Sequence, residues 1–108
     1  MARITRKLTL AYTPESLEDL DEIWDWNADQ RGNVHADKYI KFLKIHTANL
    51  AKASNPGRAV PTDERYRYKS FHWKTGGYGQ VVIFEIDSNV VRVLHYYHSS
   101  QDWENKIR

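Results

Sequence analysis

VVIFEIDSNVVRVLHYYHSSQDW, residues 81–103, is the stretch whose reading decides the fold. It reads as two apolar strands joined by Asp87-Ser88-Asn89, followed by a short polar tail ending in Asp102-Trp103. Val, Ile, Phe and Tyr dominate both runs, and Asp-Ser-Asn supplies turn chemistry between them. Nearly every position of both runs is apolar. That pattern predicts a pair at the centre of a sheet with a layer packed on it. Candidate chemistry lies at the far end of the pair, in His95, His98 and the tail.

The upstream chain supplies the covering layer. Residues 7–12, KLTLAY, alternate Leu8, Leu10 and Tyr12 with Lys7, Thr9 and Ala11, the period of a half-buried strand. Thr13-Pro14-Glu15 opens a helix, with Thr13 as N-cap and Pro14 at the first helical position. Glu15, Glu18 and Asp19 suit the positive end of that helix. Leu17, Leu20, Ile23, Trp24 and Asn27 or Ala28 fall at helical spacing, and residues 30–33 (QRGN) end it. A second helix is expected over about residues 34–54. Ala36, Ile40, Leu43, Thr47, Leu50 and Ser54 form one narrow stripe on it, and Asn55-Pro56-Gly57 stops it.

Residues 58–64 read as a loop and residues 65–73 as a strand. Arg65, Arg67, Lys69, Phe71 and Trp73 share one face of that strand, and Tyr66, Tyr68, Ser70 and His72 the other. Residues 74–79, KTGGYG, form a glycine-rich turn without the Lys-Ser/Thr ending of a phosphate-binding loop. The element order β-α-α-β-β-β predicts one α+β domain over residues 1–108. Its N-terminal strand and antiparallel helical hairpin pack on an antiparallel sheet.

Composition excludes several function classes. The chain has no Cys, so it carries no disulfide framework, thiolate nucleophile or Cys-containing zinc site. No stretch is apolar enough to span a bilayer, and the basic N-terminus lacks the apolar middle of a signal peptide. A cytoplasmic protein without a membrane partner is expected. The net charge is only +2, but residues 15–29 hold seven acids and no Lys or Arg. Residues 34–54 hold four Lys against Asp37 alone. Arg58, Arg65, Arg67, Lys69 and Lys74 follow. Basic stretches of this kind suit nucleic acid or acidic protein partners, and equally an acidic helix lying beside a basic one.

Several short motifs, in order, resemble the RelE/ParE superfamily of type II toxins, and ParE-like plasmid stabilisation proteins in particular. They are Leu20-Asp21-Glu22-Ile23, Tyr39-Ile40 with Leu43, Asn55-Pro56-Gly57-Arg58, residues 82–87 (VIFEID), and Val93-Leu94 followed by His98 and Asp102-Trp103. The resemblance covers about residues 9–103. It implies a RelE/ParE-like fold and a bacterial toxin held inactive by a cognate antitoxin that wraps the helices and sheet. It also implies inhibition of DNA gyrase by binding, without the catalytic set of the RelE-like ribosome-dependent mRNA endonucleases, and no cofactor. Glu85 and His95 stand where ParE-like sequences often carry Arg, and the tail reads His98-Ser99-Ser100-Gln101-Asp102 in place of the basic ending common in the family.

Two site readings stay open on the residues themselves. Metal-free RNA cleavage needs a base, an acid and cations on the phosphate. His98, Tyr96, Tyr97 and Arg67 are the candidates. Tyr96 and His98 share a strand face, and strict alternation puts Arg92 there too. The other reading is a binding surface for target or antitoxin made of Arg58, Arg65, Arg67, Trp26, His95 and His98. Arg58 could instead satisfy carbonyls at a helix end. Trp24 and Trp26 cannot both face one core, so one is exposed. Trp103 is expected to close over the sheet edge and anchor the tail. His95 and His98 point to opposite faces of a strand, so no metal site is expected. A member that only binds an antitoxin, without toxicity, is a third possibility.

Overall fold

A computed structural model describes residues 8–52, 57–73 and 79–106. The elements are β1 (Thr9–Tyr12), α1 (Pro14–Arg31), α2 (Asn33–Leu50), β2 (Arg58–Val60), β3 (Asp63–Phe71), β4 (Gln80–Asp87) and β5 (Val90–His98). A short 3-10 turn, Trp103–Asn105, follows. The five strands form one sheet in the order β1-β5-β4-β3-β2. The strand pair expected at the centre is there: β4 and β5 each have a neighbour on both sides.

The expected antiparallel sheet is in fact mixed, because β1 runs parallel to β5. Parallel neighbours need a long connection, and the helical hairpin begins that connection. The loop expected at residues 58–64 contains a strand instead. Arg58 and Ala59 of β2 pair with Tyr68 and Arg67 of β3. Three residues are too few to carry a readable period, so neighbours rather than propensity set this edge. Residues 7, 53–56 and 74–78 lie outside the described residues. Lys7, Ser54, the Asn55-Pro56 stop and most of the glycine-rich turn are among them.

Local chemistry fixes the hairpin on the sheet. The Thr13 hydroxyl accepts from the Ser16 N–H and donates to the Val93 carbonyl at 2.8 Å. One side chain therefore caps α1 and ties it to β5. Gly32, at φ +91°, turns α1 into α2, a conformation open to glycine. The Trp24 indole donates to Asp37 across the hairpin at 2.8 Å. Leu20, Leu43, Leu50 and Ala51 then pack on Phe71, Val82, Phe84, Val91, Val93 and Tyr96. Full burial of a Leu or Phe side chain contributes about 1.5–3 kcal/mol, so this contact dominates the fold.

Val81 and Ile83 are buried on the opposite face as well. Trp103 lies against Tyr68 there, with ring centroids 4.8 Å apart, so the tail is anchored as expected.

One irregularity changes which residues share a face. Ile83 opposes His95, but Phe84 opposes Val93, so Leu94 is an extra residue in β5. A bulge of this kind reverses the alternation beyond it. Tyr96 and His98 therefore align with Val82 and Gln80 on the helix-covered face, whereas Arg92 aligns with Glu85 on the other. The expectation that Arg92 joins Tyr96 and His98 is corrected. Arg92 is ion-paired to Glu85 at 2.8 Å.

Among the described residues no helix is long and apolar enough to cross a membrane.

Candidate functional site: a cleft and a basic edge

α1 lends Asp19, Glu22, Ile23, Trp26, Asn27 and Arg31 to one wall, with Asp19, Ile23, Trp26 and Asn27 at i, i+3 and i+4 spacing. Opposite stand Tyr96, His98 and Gln101 at the end of β5, with Gln80 from β4. His35 and Tyr39 of α2 and Trp73 complete a cleft of about 830 Å³. The rings of Tyr39 and Trp73 stack 5.5 Å apart, and His35 stacks on Trp73 at 5.6 Å. Trp26 stands 62% exposed at the rim, while Trp24 is half-buried, so the two tryptophans divide as the helix geometry requires.

The candidate acid-base groups are held in structural roles here. Tyr96 is buried, and its hydroxyl shares a 2.7 Å hydrogen bond with Thr47. Burial drives its ionisation far above the usual tyrosine range. It is thus a poor source of phenolate. Tyr97 lies on the opposite sheet face, where its ring stacks on His95 at 5.4 Å. Burial, with the Asp19 charge, raises its pKa as well. The His98 ring bonds to the Ser100 hydroxyl, and the His98 backbone N–H donates to the Gln101 side-chain oxygen at 2.8 Å.

Arg67 sits on the rung of Phe84, whereas His98 sits on the rung of Phe71 and Gln80. Tyr68, Lys69 and Ser70 separate the two rungs, on the order of 13 Å along the strands. Only Tyr96 and His98 of the four nuclease candidates line the cleft. Among the described residues no group of three His, Cys, Asp or Glu side chains is arranged to hold a metal ion.

The candidate binding residues fall in three places. Trp26 and His98 border the cleft. His95 sits beside it, bonded to Asp19 at 3.0 Å. The same Asp19 oxygen accepts the Tyr96 N–H, which β1 leaves open because it ends at Tyr12. Asp19 thus stitches α1 to the edge of β5.

Arg58, Arg65 and Arg67 lie at the other side of the sheet. Arg58 is exposed in β2, where it pairs with Tyr68, and so is not part of a helix terminus. The Arg65 guanidinium donates to both Asp63 oxygens, at 2.6 Å for the shorter pair, and lies 5.3 Å above the Tyr66 ring. These bonds hold the Asp63 carboxyl below its ordinary range and Arg65 firmly cationic. Arg67 is half-buried and donates to the Gly57 carbonyl at 3.3 Å.

Sequence reasoning missed Asp19, Glu22, Arg31, Gln80 and Thr47 as participants. Asp19, Glu22, Trp26 and Asn27 do repeat at helical spacing, and that polar stripe was the available signal.

A family described as "ParE toxin of type II toxin-antitoxin system, parDE" matches residues 10–103. Among curated proteins none matches the chain. A solved structure, the chromosomal ParDE TA system from P. aeruginosa, superposes with a TM-score of 0.69 at 19% identity. The match covers 83% of this chain and 94% of that one, and at this identity it speaks to the fold. With a family match that spans nearly all of the described sheet and both helices, the chain belongs to the ParE toxin family of type II toxin-antitoxin systems.

Proposed function

We propose that this toxin acts by binding DNA gyrase in the bacterial cytoplasm, without a catalytic centre of its own, and that a cognate antitoxin neutralises it. One observation supports a toxin without a catalytic centre. The groups that RNA cleavage would need are dispersed: Tyr97 is on the far sheet face, Arg67 is rungs away from His98, and Tyr96 is locked on Thr47. The cations on β2 and β3, Arg58 and Arg65 exposed and Arg67 half-buried, suit a binding surface, where Arg is a frequent anchor. Arg58, Arg65 and Arg67 are its core. His95, His98 and Trp26, at the opposite side, are assigned to the antitoxin.

The test adds the purified, antitoxin-free protein to gyrase, ATP and relaxed plasmid. Inhibited supercoiling with trapped cleaved DNA supports the reading. Normal supercoiling at large excess of folded toxin removes gyrase as the target.

A second reading keeps one observation in its favour: His98 stands on the wall of a cleft, with its ring oriented by Ser100. It is a ribosome-dependent mRNA endonuclease, and it requires cleavage of translated mRNA that His98→Ala abolishes. A member that only binds antitoxin would cause no growth arrest when made alone.

A further inference from the structure

The cleft has a polarity that neither reading uses. Along the α1 wall, Asp19 and Glu22 stand at one end, Trp26 in the middle and Arg31 at the other. From Glu22 to Arg31 the helix rises on the order of 14 Å, the reach of about four extended residues. Between the charged ends lie apolar and aromatic faces: Ile23, Trp26, Tyr39 and Trp73. Glu22 and Arg31 make no ion pair among the described residues, so each presents an unspent charge at the rim. Gln80 and Tyr96 close the floor and are buried.

We infer that this cleft docks a segment of a partner protein with a fixed chemical order. A Lys or Arg meets Glu22 and Asp19, apolar side chains cover Trp26 and Tyr39, and an Asp or Glu meets Arg31. Charge complementarity at both ends selects this occupant. A uniformly basic or uniformly acidic segment would place one like-charged group against the wall, which disfavours it. A tryptophan 62% exposed beside a carboxylate supplies both the apolar anchor and a face for the incoming cation. The inference does not depend on which macromolecule the toxin inhibits.

The probes are short fluorescein-labelled peptides with a Lys-Leu-Leu-Leu-Glu core, and the matching cores with Lys at both ends or Glu at both ends. Anisotropy is followed on the purified toxin, with circular dichroism as the fold control. Wild type is expected to bind the mixed peptide most tightly, and Trp26→Ala to weaken it about tenfold, the loss of a modest hot spot. Arg31→Glu is expected to shift the preference to the Lys/Lys peptide. Glu22→Lys is expected to shift it to the Glu/Glu peptide.

Preferences that ignore both charge reversals overturn the proposal. So does the absence of binding to any of the three peptides at millimolar concentration. Guanosine monophosphate binding more tightly than every peptide, or self-association that Trp26→Ala abolishes, assigns the cleft to another occupant and likewise overturns it.

Discussion

The Tyr96 end of β5 (LHYYH, residues 94–98) and the Arg65 end of β3 (RYRYK, residues 65–69) both mix tyrosines with basic residues, and they reach opposite environments. Tyr96 lies under the helical hairpin, its hydroxyl bonded to Thr47 and its backbone N–H to Asp19. Arg65 lies in solvent over the half-buried Tyr66 ring, with Asp63 as its main polar partner. Position along β3 explains the difference. Phe71, at its far end, packs in the core under the hairpin, whereas β3 pairs with β4 only over Arg67–Phe71, so Arg65 lies beyond the paired rungs. Tyrosines beside basic residues therefore become structure at one end and available surface at the other.

The largest expected effect breaks both regions together. Leu43 is fully buried between hairpin and sheet. Leu43→Ala should destabilise the protein by about 3–4 kcal/mol in a urea titration, taking both ends down in one transition.

A smaller loss should come from Gly57, which sits against Tyr68 and Phe84 and accepts from Arg67. It adopts φ +66°, and an added Cβ would stand 2.5 Å from the Tyr68 carbonyl oxygen and 2.9 Å from the Phe84 ring. Gly57→Ala should cost about 1–3 kcal/mol of stability and, by moving the carbonyl that Arg67 uses, weaken the toxin's activity beyond what the fold loss explains.

Tyr96→Phe sharpens the comparison on the covered side. It removes the bond to Thr47 and should cost about 1 kcal/mol, with growth arrest retained in the folded variant. It should also change the alkaline limb of stability. Burial raises the Tyr96 pKa above its ordinary 10.0, so the folded state favours the neutral phenol. That contribution is complete below pH 10 and is lost as pH rises further, where the unfolded chain ionises first. Tyr12, Tyr39 and Tyr97 shift in the same sense. Thermal unfolding followed above pH 10 should therefore fall less steeply in Tyr96→Phe than in wild type.

The smallest stability effect is expected at Arg65. Its ion pair with Asp63 is solvent-exposed, and such pairs add little. Arg65→Ala should leave the urea midpoint unchanged while reducing target binding.

Much of the fold was legible because it rests on strong local patterns. Thr13-Pro14 announced α1, and the apolar runs around Asp87-Ser88-Asn89 announced the central pair. The misses follow from effects that have no local signal. β2 is too short to show a period, and the parallel pairing of β1 depends on where the hairpin returns the chain. The Leu94 bulge reversed the parity that placed Arg92 beside His98. The candidate site was legible only as residue types. Trp26 at a rim followed from helix geometry, but Asp19 joining His95 and the Tyr96 amide spans most of the chain and could not be read from spacing.

The most direct test sets the two regions against each other in one gyrase supercoiling assay. Wild-type toxin, Arg58→Ala/Arg67→Ala and His98→Ala are compared, each shown folded by circular dichroism. The account predicts that His98→Ala inhibits supercoiling as wild type does and that the double arginine variant does not. Full inhibition by the arginine variant, together with its loss in His98→Ala, would contradict it.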